Sequence, residues 1–250
     1  MIFSSDLSRV NNSTISAYNK GVEEITVSET GAHSAYITYL YNALAGVLTR
    51  LEGAAELIMG EERAALRIRA REGDEMREAV KERIAEVIGI GYKYEFLCER
   101  LHVSLSRRER KLLCAALIAA DYESDGAYIR RKIGGGEHCN IDGFYRFRLG
   151  SLREKWQRIV DYVPEGFTTS DLKQFCDFLV GESHNKIYLK GNTVFGENFA
   201  PLRRSRLLGE EDAETEIMLS DAGFVYCLGE VEEALGDFLQ KFYAERAIFS

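Results

Sequence analysis

Polar and apolar residues alternate in EEITVSE, Glu23 to Glu29, and a period of two over β-branched residues predicts a strand. The period then lengthens. In AHSAYITYLYNALAGVLTRL, Tyr36, Leu40, Ala43, Leu44, Val47 and Leu51 recur at three- and four-residue steps, which puts them on one face of a helix. AAELIMGEERAALRIRA returns to alternation, with Leu57 and Met59, then Leu66 and Ile68, on either side of Gly-Glu-Glu. That pattern predicts a hairpin.

Helical spacing dominates the middle of the chain. Met76, Val80, Ile84, Val87 and Ile88 form an apolar stripe between Asp74 and Ile90, with Glu and Arg opposite. Gly89 and Gly91 are expected to interrupt it, and a second helix runs through YEFLCERLHV. Ser104 or Ser106 can cap the next helix, RRERKLLCAALIAADY, a contribution of about 1 kcal/mol. The basic residues at its start oppose the macrodipole and need compensation from elsewhere. GGGEHCN, Gly134 to Asn140, reads as a loop.

The last third is mixed. TTSDLKQFCDFLV begins with Thr or Ser caps and sets Leu172, Phe175, Cys176 and Leu179 on one helical face. NKIYLKGNTVFG reads as a hairpin across Lys190-Gly-Asn-Thr193. ENFAPLRRSRLLGEEDAE is expected to be a long charged loop, and TEIMLSD a strand. GEVEEALGDFLQKFYAERA is expected to be a helix with Val231, Leu235, Phe238, Leu239 and Phe242 inward. The chain carries no internal repeat and no low-complexity tract.

One stretch supports two readings: IDGFYRFRL, Ile141 to Leu149. As a strand it interleaves aromatics and arginines, as a base-stacking surface does. It departs from the RNP1 pattern at Asp142, Tyr145 and Arg146. As a helix it continues in order. Tyr145, Leu149, Leu152, Trp156, Ile159 and Val163 step by fours and threes along one buried stripe, Asp142 falls at the N-cap, and Pro164 ends the run. The helix accounts for more residues and is the reading adopted. Phe144 and Phe147 then point away from the stripe and must pack on a second layer or lie exposed.

NIDGFYRFRLGSLREKWQRIVDYV resembles the central motif of the YtxC-like family of sporulation proteins, a DGFxxFRL sequence opening a long helix. The flanks are similar too: LSRRERKLL upstream, then KIYLKGNTVF and EIMLSDAGFVYCLGEVEEALGDFLQKFYAER downstream. The resemblance covers Asp74 to Arg246, and the chain departs from the family's pattern between Glu197 and Thr215. It implies a soluble protein of endospore-forming bacteria. It brings no established reaction and no catalytic residues with it.

Composition narrows the classes. Apolar residues make up 46% of the 250, enough for a substantial core, and only two prolines occur. The net charge of −8 is unevenly spread: Arg100 to Val160 holds 13 Lys and Arg against 7 Asp and Glu, while Leu207 to Ser250 holds 2 against 11. These two segments can attract each other or serve a partner. Five widely spaced cysteines with no CxxC read as reduced thiols. MIFSSDLSRVNNSTIS lacks the form of a signal peptide, and no apolar run suits a membrane span, so a cytoplasmic protein is expected.

Candidate chemistry is sparse. Cys98 and His102, with His138 and Cys139, could ligate a metal, but lack the tight pairs that structural zinc uses. Cys139 beside His138 could be an activated thiol, although a catalytic base ordinarily comes from elsewhere in a fold. IGGGEHCN lacks both P-loop and GxGxxG spacing. Glu210, Glu211 and Asp212 read as a solvated acidic loop. Basic patches lie at Arg107, Arg108, Arg110 and Lys111, at Arg130 to Lys132, and at Arg203, Arg204 and Arg206. No cofactor is expected.

The expected fold is α+β, a helical middle flanked by small β-sheet elements at the N- and C-terminal ends. The chain divides into an N-terminal mixed region (1–73), a helical region carrying DGFYRFRL (74–182) and a C-terminal α+β region (183–250). The leading function is a non-enzymatic, cytoplasmic, sporulation-associated protein that binds an unknown protein partner. Its candidate contact surface is Asp142, Phe144, Arg146, Phe147 and Arg148. The alternatives are a nucleic-acid-binding regulator using Arg100 to Val160 and an enzyme of unknown type centred on Glu137, His138 or Cys139.

Overall fold

The alternation in EEITVSE becomes strand β1 (Glu23–Thr30), which buries Ile25, Val27 and Glu29 on one side. These coordinates are a computed structural model, and they describe residues 22–250. The N-terminal stretch read for a signal peptide lies outside the described residues. A 3-10 turn leads into helix α1 (Ser34–Arg50), which buries Tyr36, Ile37, Leu40, Leu44 and Leu48. Ala43 and Val47 reach only the rim of that face. The expected hairpin forms from β2 (Ala54–Met59) and β3 (Arg63–Ala70). β3 pairs antiparallel with β1, setting Ile25 opposite Ile68 and Val27 opposite Leu66. Helix α1 packs over this sheet.

Gly134 to Asn140 does not stay a loop. Its last three residues form β4 (His138–Asn140), parallel to β1, with Cys139 opposite Val27. The sheet order is β2-β3-β1-β4. Three residues are too few to show a period, and the preceding glycines read as a turn.

Helix α2 (Gly73–Glu86) is followed without a gap by a π-helical stretch, Val87–Tyr92, and then by α3 (Lys93–Arg100). Gly89 and Gly91 therefore widen a turn and do not end the helix. All six residues of the stretch are buried. Ser106 caps α4 (Arg107–Lys132) in a reciprocal box with Glu109. The expected compensation for its basic start also exists. Arg108 binds Glu214 through Nε (2.8 Å), and Lys111 reaches Glu210 (3.2 Å) and Asp212 (3.4 Å).

The long helix expected from Asp142 to Pro164 is two helices, α5 (Ile141–Arg148) and α6 (Gly150–Tyr162). Leu149 separates them at φ −113° and ψ 31°. Its side chain stays fully buried, so the apolar stripe runs on through a backbone break that the stripe cannot reveal. Asp142 stands inside the first turn of α5 and not at the N-cap.

Thr168 caps α7 (Thr169–Glu182), which buries Leu172, Cys176 and Val180. The second hairpin is β5 (Asn185–Lys190) and β6 (Thr193–Phe195), turning through Gly191 at φ 56°. The long charged loop holds a 3-10 segment, Arg204–Leu208, with Ser205, Leu207 and Leu208 buried. TEIMLSD is not a strand. Asp212 caps α8 (Ala213–Leu219) across that stretch, and the strand β7 (Ala222–Cys227) follows it. A short unbroken apolar run has no period to separate helix from strand. α9 (Glu233–Tyr243) buries the expected Leu235, Phe238, Leu239 and Phe242, while Val231 precedes it, half-buried. β8 (Ala247–Phe249) completes a sheet ordered β6-β5-β7-β8, antiparallel at its first pair and parallel at the other two.

The fold is α+β, with small mixed sheets towards both ends of the chain and helices between. Its compact units cut the chain differently from the three regions drawn on the sequence. One holds the described residues up to Arg83 together with Gly134–Asp142, and the other holds Ile84–Ile133 with Gly143–Ser250. No helix among the described residues is long and apolar enough to cross a membrane.

Candidate functional site

In the larger unit, three helices bring four charged side chains to one buried point. α3 supplies Lys93, α4 supplies Asp121 and Asp125 on successive turns of one face, and α6 supplies Lys155. Lys93 is fully buried and Asp125 is 1% exposed. Lys93 Nζ donates to Asp125 Oδ2 at 2.9 Å and to Asp121 Oδ2 at 3.3 Å. Lys155 Nζ donates to Asp125 Oδ1 at 2.7 Å and lies 2.9 Å from Asp121 Oδ1. Trp156 Nε1 adds a third bond to Asp125, at 2.8 Å to Oδ2. Two ammoniums and two carboxylates balance, so the cluster carries no net charge into the interior.

The ionisation of Asp121 follows from this setting. Burial acts to raise its carboxyl, but the ammoniums of Lys93 and Lys155 outweigh that and hold it below the ordinary carboxylate value. Burial acts to lower the Lys155 ammonium, but bonds to Asp125 and Asp121 outweigh it and hold the group above its usual range.

Aromatic rings extend the cluster towards the DGFYRFRL segment. Lys93 Nζ lies 5.9 Å from the Trp156 ring centre. Phe96 meets Trp156 edge-on at 5.6 Å, and Tyr145 of α5 packs between Tyr92 (4.5 Å) and Trp156 (6.1 Å). Burial pushes the Tyr145 hydroxyl up to about 12. Arg153 lies over the Tyr145 ring at 5.5 Å and donates to the Arg146 carbonyl at 2.9 Å. Tyr145 thus anchors α5 from behind.

The opposite side of α5 is open. Phe147 is 84% exposed, and Arg146 and Arg148 are exposed beside it. Phe144, Phe147 and Arg148 share one helical face by their spacing, with Arg146 one step round from Phe147. Phe144 is half-buried. Arg148 enters no ion pair among the described residues. Asp142, the fifth candidate, is half-buried and belongs to the other compact unit. No family model, curated protein or solved structure matches this chain.

The other candidate groups fall elsewhere. His102 lies beyond the end of α3, so it shares no helix with Cys98. Among the described residues, no three His, Cys, Asp or Glu side chains come together to hold a metal ion. Burial, with the Glu29 carboxylate, pushes the Cys139 thiol up to about 11, the reverse of what an attacking thiolate needs. Cys98 is drawn down to about 7 by a hydrogen bond from Cys114, with burial opposing and the Tyr94 hydroxyl and Arg110 assisting. Arg204 is built into the fold: its Nε meets Glu86 at 2.9 Å and its guanidinium lies 4.8 Å from the Tyr122 ring centre. Buried Glu216 accepts the backbone N–H of Arg204 (3.0 Å) and of Ser205 (2.7 Å), fastening the 3-10 segment.

Sequence reasoning found Trp156 and Tyr145 as stripe residues but missed Lys93, Asp121, Asp125 and Lys155. Their only local signal is a lysine, Lys155, next to a stripe tryptophan.

Proposed function

We propose that this chain is a non-enzymatic cytoplasmic protein, associated with sporulation, that binds a protein partner through the outward face of α5. The observation that carries the reading is Phe147, a large apolar ring left in solvent beside the cation of Arg148 on a helix braced from behind. Solvent-exposed aromatics next to arginines are the composition of binding hot spots. The complementary partner is an acidic segment with an apolar side chain to cover the ring. The sporulation assignment rests on the resemblance of Asn140 to Val163 to the YtxC-like motif. The raised Cys139 thiol counts against the activated-thiol reading centred on Glu137, His138 and Cys139. The free cysteines suit a reducing compartment.

The nucleic-acid reading of Arg100 to Val160 draws less support, because Arg108 and Lys111 are engaged by Glu214, Glu210 and Asp212. The test is a Phe147→Ala, Arg148→Glu variant replacing the wild-type chain in a spore-forming host. Both positions are exposed, so stability should change by less than about 0.5 kcal/mol each. Sporulation should fail with protein level and thermal midpoint unchanged. Normal spore yield from a folded variant would refute the α5 surface.

A further inference from the structure

Strands β5 and β7 sort their side chains by face. Ile187, Leu189, Val225 and Cys227 are buried on one side. Lys186, Tyr188 and Lys190 of β5 and Phe224 and Tyr226 of β7 stand on the other. The register lines up Phe195, Tyr188, Tyr226 and Ile248 in one row across all four strands. Tyr188 and Tyr226 have ring centres 5.5 Å apart, and Phe199 stacks on Tyr188 at 4.3 Å and 25°.

Phe199 is held there against its own preference. Its φ is +57°, a region that costs a bulky residue roughly 1–3 kcal/mol. The loop enforces it: Phe199 N–H donates to the Gly196 carbonyl (2.9 Å), Gly196 N–H donates to the Ala200 carbonyl (3.0 Å), and Phe195 bridges to Pro201. The ring is nevertheless 59% exposed. A strained backbone that keeps an aromatic ring in water, parallel to a row of others, points to a ligand with flat faces.

The charge on this face selects the ligand. Lys186 and Lys190 flank Tyr188 on β5, both are exposed, and neither enters an ion pair among the described residues. The row and the outward positions beside it carry no Asp or Glu. Three acids of the C-terminal segment, Glu210, Asp212 and Glu214, are engaged at the start of α4. Stacking rings between unpaired lysines match bases joined by phosphates. Base faces are accessible only in a single strand. The hydroxyls of Tyr188, Tyr226 and Thr193, which pairs with Lys190, suit a ribose 2′-OH.

We propose that this sheet face binds single-stranded RNA, with bases stacking on Phe199 and Tyr226, Tyr188 backing both rings, and phosphates held by Lys186 and Lys190. The site is separate from the α5 surface and independent of the function proposed for it.

The experiment is fluorescence anisotropy of a labelled oligouridine titrated with the full chain at several salt concentrations. Lys186→Ala with Lys190→Ala should weaken binding and flatten the slope of log affinity against log salt by about 1.4, two phosphates at about 0.7 each. Phe199→Gly should weaken it roughly tenfold, the loss of one stacked base. Glycine relieves the positive φ but loses the ring's packing on Tyr188, so the thermal midpoint is measured beside the affinity, and weakened binding by a variant still folded at the assay temperature separates a lost ligand contact from a lost fold. Phe147→Ala with Arg148→Glu should bind oligouridine normally. Absence of binding, or affinity untouched by the lysine pair or by Phe199→Gly, would overturn the proposal. Equal affinity for oligodeoxyuridine would overturn the choice of RNA, and equal affinity for duplex would overturn stacking.

Discussion

Asp125 accepts hydrogen bonds from Lys93, Lys155 and Trp156, and each donor sits on a different helix from its own. Nothing in the sequence around Asp125 announces this, because a carboxylate between Ser124 and Gly126 reads like any solvated helix position. Burial of a charge depends on what the rest of the fold brings to it, and periodicity carries no such information. Asp121, at the edge of the same cluster, yields a pH prediction. Its folded carboxyl titrates below its unfolded value, so the stabilisation it provides is present above that unfolded value, near 3.8. It is lost as the pH falls through the depressed folded value. Asp121→Asn removes this contribution. The variant should be less stable than wild type at neutral pH, and the gap should close as the solution is acidified below about pH 4. Trp156 is the only tryptophan and lies 2.8 Å from Asp125, so its fluorescence during urea unfolding reads the change directly. A gap that persists unchanged in acid would show that Asp121 acts by packing and not by charge.

At the scale of elements, what the sequence makes legible is what depends on neighbours within four residues. The Ser106 and Thr168 caps, both hairpins and the α9 stripe are of this kind. The π-helical stretch, the break at Leu149 and the helix at α8 are not. Each depends on how a locally ambiguous run is packed, and Leu149 keeps its place in the stripe whether or not the backbone bends. The candidate site divides the same way: that Phe147 lies off the stripe was legible, but that it is exposed while Phe144 is half-buried was not, nor was the cluster behind Tyr145. The two capping boxes give a quantitative test. Ser106 accepts the Glu109 N–H, Thr168 accepts the Asp171 N–H, and in both the carboxylate returns a bond to the cap residue. Ser106→Ala and Thr168→Ala should each cost about 1 kcal/mol. They lie on different helices, but the Glu109 carboxylate also bonds the Thr169 side chain beside the second cap, so the two boxes form one network and the double variant should depart from the sum by about 0.5 kcal/mol or more in urea titrations. A combined loss equal to the sum would show that the bond between the two helix starts carries no coupling.

At the scale of the whole molecule, the uneven charge seen in the sequence has a structural use. The basic start of α4 and the acidic residues at 210–214 answer each other within one unit, which also neutralises cations that would oppose the helix dipole. Such pairs are individually weak, about 0.2–1 kcal/mol when exposed, and salt screens them. Arg108→Ala with Lys111→Ala should therefore lower the thermal midpoint by only a few degrees at low salt, and by less at high salt. The same variant decides where nucleic acid would act. If the start of α4 serves the fold, oligouridine affinity will not change, whereas the Lys186 and Lys190 variant weakens it. The reverse pattern, with affinity falling on loss of Arg108 and Lys111 while the β5 lysines prove silent, would return nucleic-acid binding to Arg100 to Val160. The acidic segment would then compete with the ligand for those cations, and truncating Glu210 and Asp212 to alanine would tighten binding where it now should do nothing.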